Sequence, residues 1–137
     1  MKFIADANLL SEATKPEPAP WVLDWLRRNE PHLAVTPVIL GELEFGILLL
    51  PAGKRKKRLQ LWFEEIRSTA LCLDFDSNAA SAWARLLAKL RSKGLAMPVK
   101  DSLIAASAIA HNLAVATRNT RDFKNAGIQV VDPFEQS

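Results

Sequence analysis

The chain has 137 residues, 49% of them apolar, enough to build one domain over residues 1–137 around a single core without disulfides or structural metal. One cysteine, Cys72, and two histidines exclude an internal disulfide, a Cys-rich zinc or iron–sulfur site and a His-built metal cluster, so any metal must be a hard cation held by oxygen. The net charge is +3, yet Lys54 to Arg58 carry five positive charges in succession and leave the remainder net acidic; no apolar run is long enough for a membrane span, which predicts a cytoplasmic protein with a local basic patch.

Lys2-Phe3-Ile4-Ala5 is a short apolar run ending at Asp6-Ala7-Asn8, the pattern of a buried first strand with polar groups at its carboxyl end. The prolines between Lys15 and Pro20 make a loop. Pro20 then opens a helix in which Trp21, Val22, Trp25 and Leu26 recur at helical spacing up to Arg28. His32 to Val35 is the second predicted strand. Thr36 can cap, and Pro37 start, a helix reaching about Leu50. Pro51-Ala52-Gly53 breaks it, and beyond the basic run Leu59, Trp62, Phe63 and Ile66 mark the apolar stripe of another helix. Ala70 to Leu73 reads as a third strand. From Asp76 to Lys93 a stripe of Ala79, Trp83, Leu86, Leu87 and Leu90 predicts a long amphipathic helix, with Gly94 positioned to end it. A helix from about Lys100 to Asn112, a fourth strand at Leu113 to Thr117 and a fifth at Ile128 to Val131 follow. Strands that are near-continuous apolar runs, alternating with helices, predict an α/β fold. The expected form is a three-layer α/β/α sandwich around a mostly parallel sheet of about five strands.

In sheets of that kind, function gathers where strand carboxyl ends meet helix amino ends. Asp6 and Asn8 follow strand one, Glu42 lies in the helix after strand two, Asp101 opens a helix, and Asn119 and Asp122 follow strand four. Carboxylates crowded at one edge repel, and an oxygen-bound Mg²⁺ or Mn²⁺ is the usual remedy. Each acid also has a structural role open to it: Asp6 as a turn or cap, Asp101 at a helix amino end, Asn119 and Asp122 in an Asx-turn and cap. Helical spacing alone leaves Glu42 and Glu44 equivalent. The basic run suits equally an RNA-phosphate contact and a solvated helix start, and the four tryptophans follow core stripes. No phosphate-binding or dinucleotide glycine motif is present among the five glycines.

Four blocks in order, Ile4-Ala5-Asp6-Ala7-Asn8-Leu9-Leu10-Ser11-Glu12, Val35-Thr36-Pro37 leading to Gly41-Glu42-Leu43 and Phe45-Gly46-Ile47, Asp101-Ser102-Leu103-Ile104-Ala105-Ala106, and Ala116-Thr117-Arg118-Asn119-Thr120-Arg121-Asp122-Phe123, resemble the PIN-domain family. Within it the similarity is to the VapC and FitB type of toxin–antitoxin ribonucleases. The resemblance implies a Mg²⁺- or Mn²⁺-dependent endoribonuclease acting on RNA, usually a homodimer, inhibited by a small antitoxin that also binds DNA, so that DNA is met only through the antitoxin. It selects Glu42 over Glu44. On this reading Asp6 and Asp101 hold the metal, Glu42 ligates it or orients the attacking water, and Asn119 or Asp122 completes the site. Asn8, Thr117, Arg118 and Arg121, with Asn119, are the expected supporting or substrate contacts. Two positions depart from the family pattern: Ala7 stands where a hydroxyl is common, and Asn119 where an acid is common.

Two rival readings remain at this point. A receiver-like phosphoacceptor module would use Asp74 after strand three, but the chain has Asp6 alone after strand one and Val131-Asp132-Pro133, without a lysine, after strand five. A catalytically inactive PIN-like interaction domain is the other.

Overall fold

The computed structural model describes residues 1–135. Its centre is a parallel sheet of four strands, β1 (Phe3–Ala5), β2 (Leu33–Ala34), β3 (Ala114–Ala116) and β4 (Val130–Val131), in the order β2-β1-β3-β4. Phe3 pairs with Leu33 on one side and with Ala114 on the other, Ile4 with Ala34 and Val115, and Val115 with Val130. The two central strands are apolar on both faces because helices cover both. Ile4 and Val115 point into a core shared with Ile39, Leu43, Leu86, Leu90 and Ile104. Ala5 and Ala116 point into a second core with Leu9 and Val22. Ile4 and Ile104 are wholly buried, and truncating either to alanine would cost about 2–5 kcal/mol.

Seven helices carry the rest: α1 (Ala7–Ser11), α2 (Pro20–Asn29), α3 (Pro37–Leu48), α4 (Lys54–Thr69), α5 (Ser77–Ser92), α6 (Val99–His111) and α7 (Thr120–Phe123). Their ends follow local chemistry. Thr36 Oγ1 accepts from the Ile39 amide at 3.4 Å ahead of Pro37, and Asp76 Oδ1 accepts from the Ala79 amide at 3.0 Å. Gly94, at φ 67°, ends α5: its amide donates to the Arg91 carbonyl and the Leu95 amide to the Leu90 carbonyl, the two bonds of a Schellman turn. Asn112 closes α6 in the left-handed region, which asparagine tolerates. α2 lies on the second core, where Trp25 meets Phe3 edge to face at 5.1 Å.

The structure corrects the expected strand count from five to four. Ala70 to Leu73 contributes only a single parallel bridge, Val35 to Cys72, closed by Val35 N–H to Leu71 O and Leu73 N–H to Val35 O, both 2.8 Å. The reason is the neighbour's length: Thr36 already caps α3, so Val35 is the last extended residue with which that segment can pair. His32 likewise leaves β2 for a short 3-10 turn, Glu30–His32, started by Pro31. Two elements escaped the hydrophobic pattern, α1 and the 3-10 turn Glu12–Thr14, because each is too short to show a helical period.

Candidate functional site

The carboxyl ends of β1 and β3 lie side by side, and their polar residues are stitched together. The Asp6 amide continues the ladder by donating to the Ala116 carbonyl at 2.9 Å, and the chain then turns directly into α1. Asp6 is buried and caps that helix: Oδ1 accepts from the Ala7 amide at 2.8 Å. Its Oδ2 accepts from Thr117 Oγ1 at 2.7 Å and from Asn8 Nδ2 at 3.3 Å. The Thr117 hydroxyl, wholly buried, also accepts from Asn8 Nδ2 at 3.2 Å and from the Asn119 amide at 3.0 Å. Its one proton and both lone pairs are therefore used. Asn8 Oδ1 takes the Arg118 amide at 3.1 Å, closing the network.

Asp101 reaches the same edge from the first turn of α6. That turn is clamped to α5, because Trp83 Nε1 donates to Ser102 Oγ at 3.0 Å while Ser102 Oγ donates to the Val99 carbonyl at 2.6 Å. The Asp101 carboxylate is buried, at 6% exposure, and among the described residues it accepts no hydrogen bond. Burial pushes it up to about 6; the Lys100 ammonium opposes the rise, and the charges of Asp6, Asp122 and Glu42 add to it. All four acids selected from the sequence thus act in one electrostatic field.

Glu42, half-buried on α3, accepts from Lys100 Nζ at 2.7 Å through Oε2, while its Oε1 is buried without a hydrogen-bond partner. That bond is the main reason the Lys100 ammonium is held above its ordinary pKa, with Asp101 and Asp6 contributing. Glu44 is exposed and faces Gln60 and Phe63 of α4, which separates the two glutamates that helical spacing left equivalent. Asp122 is half-buried in α7, and its amide donates to the Asn119 carbonyl at 3.1 Å. Asn119 itself is exposed. Neither Arg118 nor Arg121 pairs with an acid among the described residues: the Arg118 guanidinium lies over the Phe134 ring at 4.7 Å, and Arg121 is exposed on α7. Asp74 is exposed beside the edge bridge, remote in topology from the β1–β3 junction.

Among the described residues no three carboxylates converge on a point as a ready-made cation cage, and Lys100 supplies the counter-charge instead. The donor set still fits a hard divalent cation. It is all oxygen, it includes an orphaned buried oxygen on Glu42, and its Asp101 is disfavoured in the charged form by burial and by neighbouring charges that a cation would neutralise.

Sequence reasoning passed over Lys100, Ser102 and Trp83. The only signal for the first two was adjacency to Asp101, and Trp83 looked like any other core-stripe residue. It also passed over Glu12, a buried carboxylate with a structural task. Glu12 Oε2 accepts from the Ala19 amide at 2.9 Å and its other oxygen pairs with Lys15 at 3.0 Å, which holds its pKa below the usual range and ties the proline loop to α1.

Comparison with known proteins gives the same frame. The PIN domain family matches residues 3–129. The plasmid stability protein StbB of Pseudomonas syringae pv. tomato is 38% identical, over 97% of this chain and 99% of its own length. The VapC ribonuclease Y4jK of Sinorhizobium fredii is 36% identical, over 97% of this chain and 98% of its own length. Among solved structures, FitAB bound to an IR36 DNA fragment superposes with a TM-score of 0.89 at 28% identity, covering 98% of this chain and 97% of that one.

Proposed function

The chain belongs to the PIN-domain family, and from that premise we propose that it is the toxin of a toxin–antitoxin pair: an endoribonuclease that hydrolyses RNA phosphodiester bonds with the help of Mg²⁺ or Mn²⁺. The observation that carries this reading is the shared field of Asp6, Glu42, Asp101 and Asp122 at the β1–β3 edge, expressed in an Asp101 carboxyl pushed up to about 6. Asp6 and Asp101 would hold the cation, which when bound supplies charge neutralisation at the scissile phosphate and a more acidic attacking water.

The protein's own groups do the rest. Thr117 and Asn8 fix the Asp6 carboxylate in one rotamer, so little ordering remains for the moment of reaction. Glu42, once released from Lys100, takes the proton of the attacking water at its free oxygen. Asp122 adds negative charge at the same edge, and Arg121 and Asn119, exposed on its rim, meet the phosphates on either side. Hydrolysis then needs no protein nucleophile, in keeping with Cys72, whose thiol is pushed up by burial, and with histidines outside the site. Ala7 offers no hydroxyl, but its amide already serves Asp6.

The antitoxin partner rests on the likeness to VapC- and FitB-type proteins and on the fold shared with FitAB bound to DNA. The same likeness carries a homodimer. No helix is long and apolar enough to cross a membrane. The test is partner-free protein on single-stranded RNA with Mg²⁺, Mn²⁺ or chelator, beside Asp6→Asn and Asp101→Asn. Cleavage that needs the metal and is lost in both variants is expected. Cleavage that survives the chelator, or is equal in the variants, would overturn the reading.

A further inference from the structure

Between the turn at Thr14–Lys15 and the start of α4 lies a cleft of about 550 Å³, lined also by Arg55, Arg58 and Trp62. A neighbouring cleft of about 310 Å³ shares Thr14, Arg55, Leu59 and Trp62 with it and extends to Asn8 and Glu42. The two are one continuous groove, leading from the acidic edge to the cationic end of α4. Positions 55, 58, 59 and 62 recur at helical spacing, so a single face of α4 forms its wall.

The charges on that wall oppose the helix beneath them. Lys54 to Arg58 fill the amino-terminal turn of α4, where the macrodipole is already positive, and no acid shares that turn. A cation there costs roughly 0.3–1 kcal/mol instead of stabilising the helix. None of the five pairs with a carboxylate among the described residues, and Arg55 and Arg58 are exposed. The arrangement is unfavourable for the free protein and favourable once an anion arrives. Trp62 packs on the core with part of its ring and lines the groove with the remainder.

Resting on the ribonuclease reading, we propose that this groove carries the RNA strand away from the scissile bond, with Arg55 and Arg58 on successive phosphates and Trp62 stacked on a base. Guanidinium and indole side by side answer the two chemistries that a nucleic acid presents in alternation, charge and flat ring. An acidic peptide would satisfy the cations alone.

The test is anisotropy of a short fluorescein-labelled single-stranded RNA of mixed sequence, titrated with protein in chelator so that binding is read without cleavage. Arg55→Ala/Arg58→Ala is expected to weaken binding about tenfold and to reduce the slope of log affinity against log salt by about 1.4, two contacts at about 0.7 each. The charge-matched Lys54→Ala/Lys57→Ala, whose residues line neither cleft, should change affinity much less. Trp62→Leu should weaken binding at an unchanged slope, and Trp62→Phe should restore most of it. Equal behaviour of the two double variants, with the parent still cutting RNA in Mn²⁺, would overturn the groove and leave the ribonuclease reading standing. A parent that neither binds nor cuts RNA would overturn both. If the arginine variant keeps its RNA affinity and loses affinity for a poly-glutamate peptide, the groove is a protein site and the proposal fails.

Discussion

Asp101→Asn is expected to stabilise the metal-free protein. The carboxyl titrates at about 6 in the folded chain against 3.8 as its ordinary value, so the native state binds a proton more tightly than the unfolded state does. Between about pH 4 and pH 6 the folded chain carries more protons, and its stability therefore falls as pH rises through that window and is level above it. At about 1.4 kcal/mol per unit, the ionised group holds the native state back by roughly 3 kcal/mol. Asparagine removes that term without losing a hydrogen bond, since the carboxylate accepts none, and forfeits at most about 1 kcal/mol of attraction to the amino end of α6. The net gain is about 2 kcal/mol at pH 8. For a chain of this length it should raise the melting temperature by roughly 6–10 °C. Thermal melts of parent and variant in chelator, from pH 4 to pH 8, measure it: the curves should meet near pH 4 and diverge above. Mg²⁺ at a hundred times its Kd should add about 2.7 kcal/mol to the parent and less to the variant. A variant that melts lower than the parent at pH 8, or a difference that does not change with pH, would show that the Asp101 charge is not under strain.

Thr117→Val removes the 2.7 Å donor to Asp6 and the acceptor for Asn8 and the Asn119 amide, all in a buried setting, and should cost about 1–3 kcal/mol in urea unfolding together with weaker Mn²⁺ binding by titration. Lys100→Met withdraws the only cation that opposes the rise of Asp101, so the stability decline in metal-free melts should shift to a pH above about 6; an unmoved decline would mean the ammonium does not act on the acids. Ser102→Ala leaves Trp83 Nε1 without its partner and frees the first turn of α6, which should cost about 1–3 kcal/mol by chemical denaturation and reduce cleavage through Asp101, while Ser102→Thr should retain most of both.

Periodicity and capping chemistry were enough to read the layer order. The α5 stripe, the Thr36-Pro37 start of α3, the Gly94 stop and the apolar runs of β1 and β3 are all local signals, and each appears in the structure near its expected place. What local signals could not convey was pairing length. Ala70 to Leu73 is as apolar as β3, yet it forms one bridge because the partner strand has already ended. For the site, four in-order blocks identified the acids, and resemblance rather than spacing chose Glu42.

The residue types and their order along the chain thus set the fold class and the candidate acids, since both depend on interactions within one element or on motifs readable in one dimension. Which groups touch was decided by the packed sheet. Only adjacency of β1 and β3 brings Thr117 onto Asp6 across 111 positions, and only the approach of α6 to α3 puts Lys100 on Glu42. Burial is likewise a property of the assembled molecule: Asp101 is an ordinary carboxylate in the unfolded chain, and it becomes a strained one when three other acids and a low-dielectric wall are folded around it.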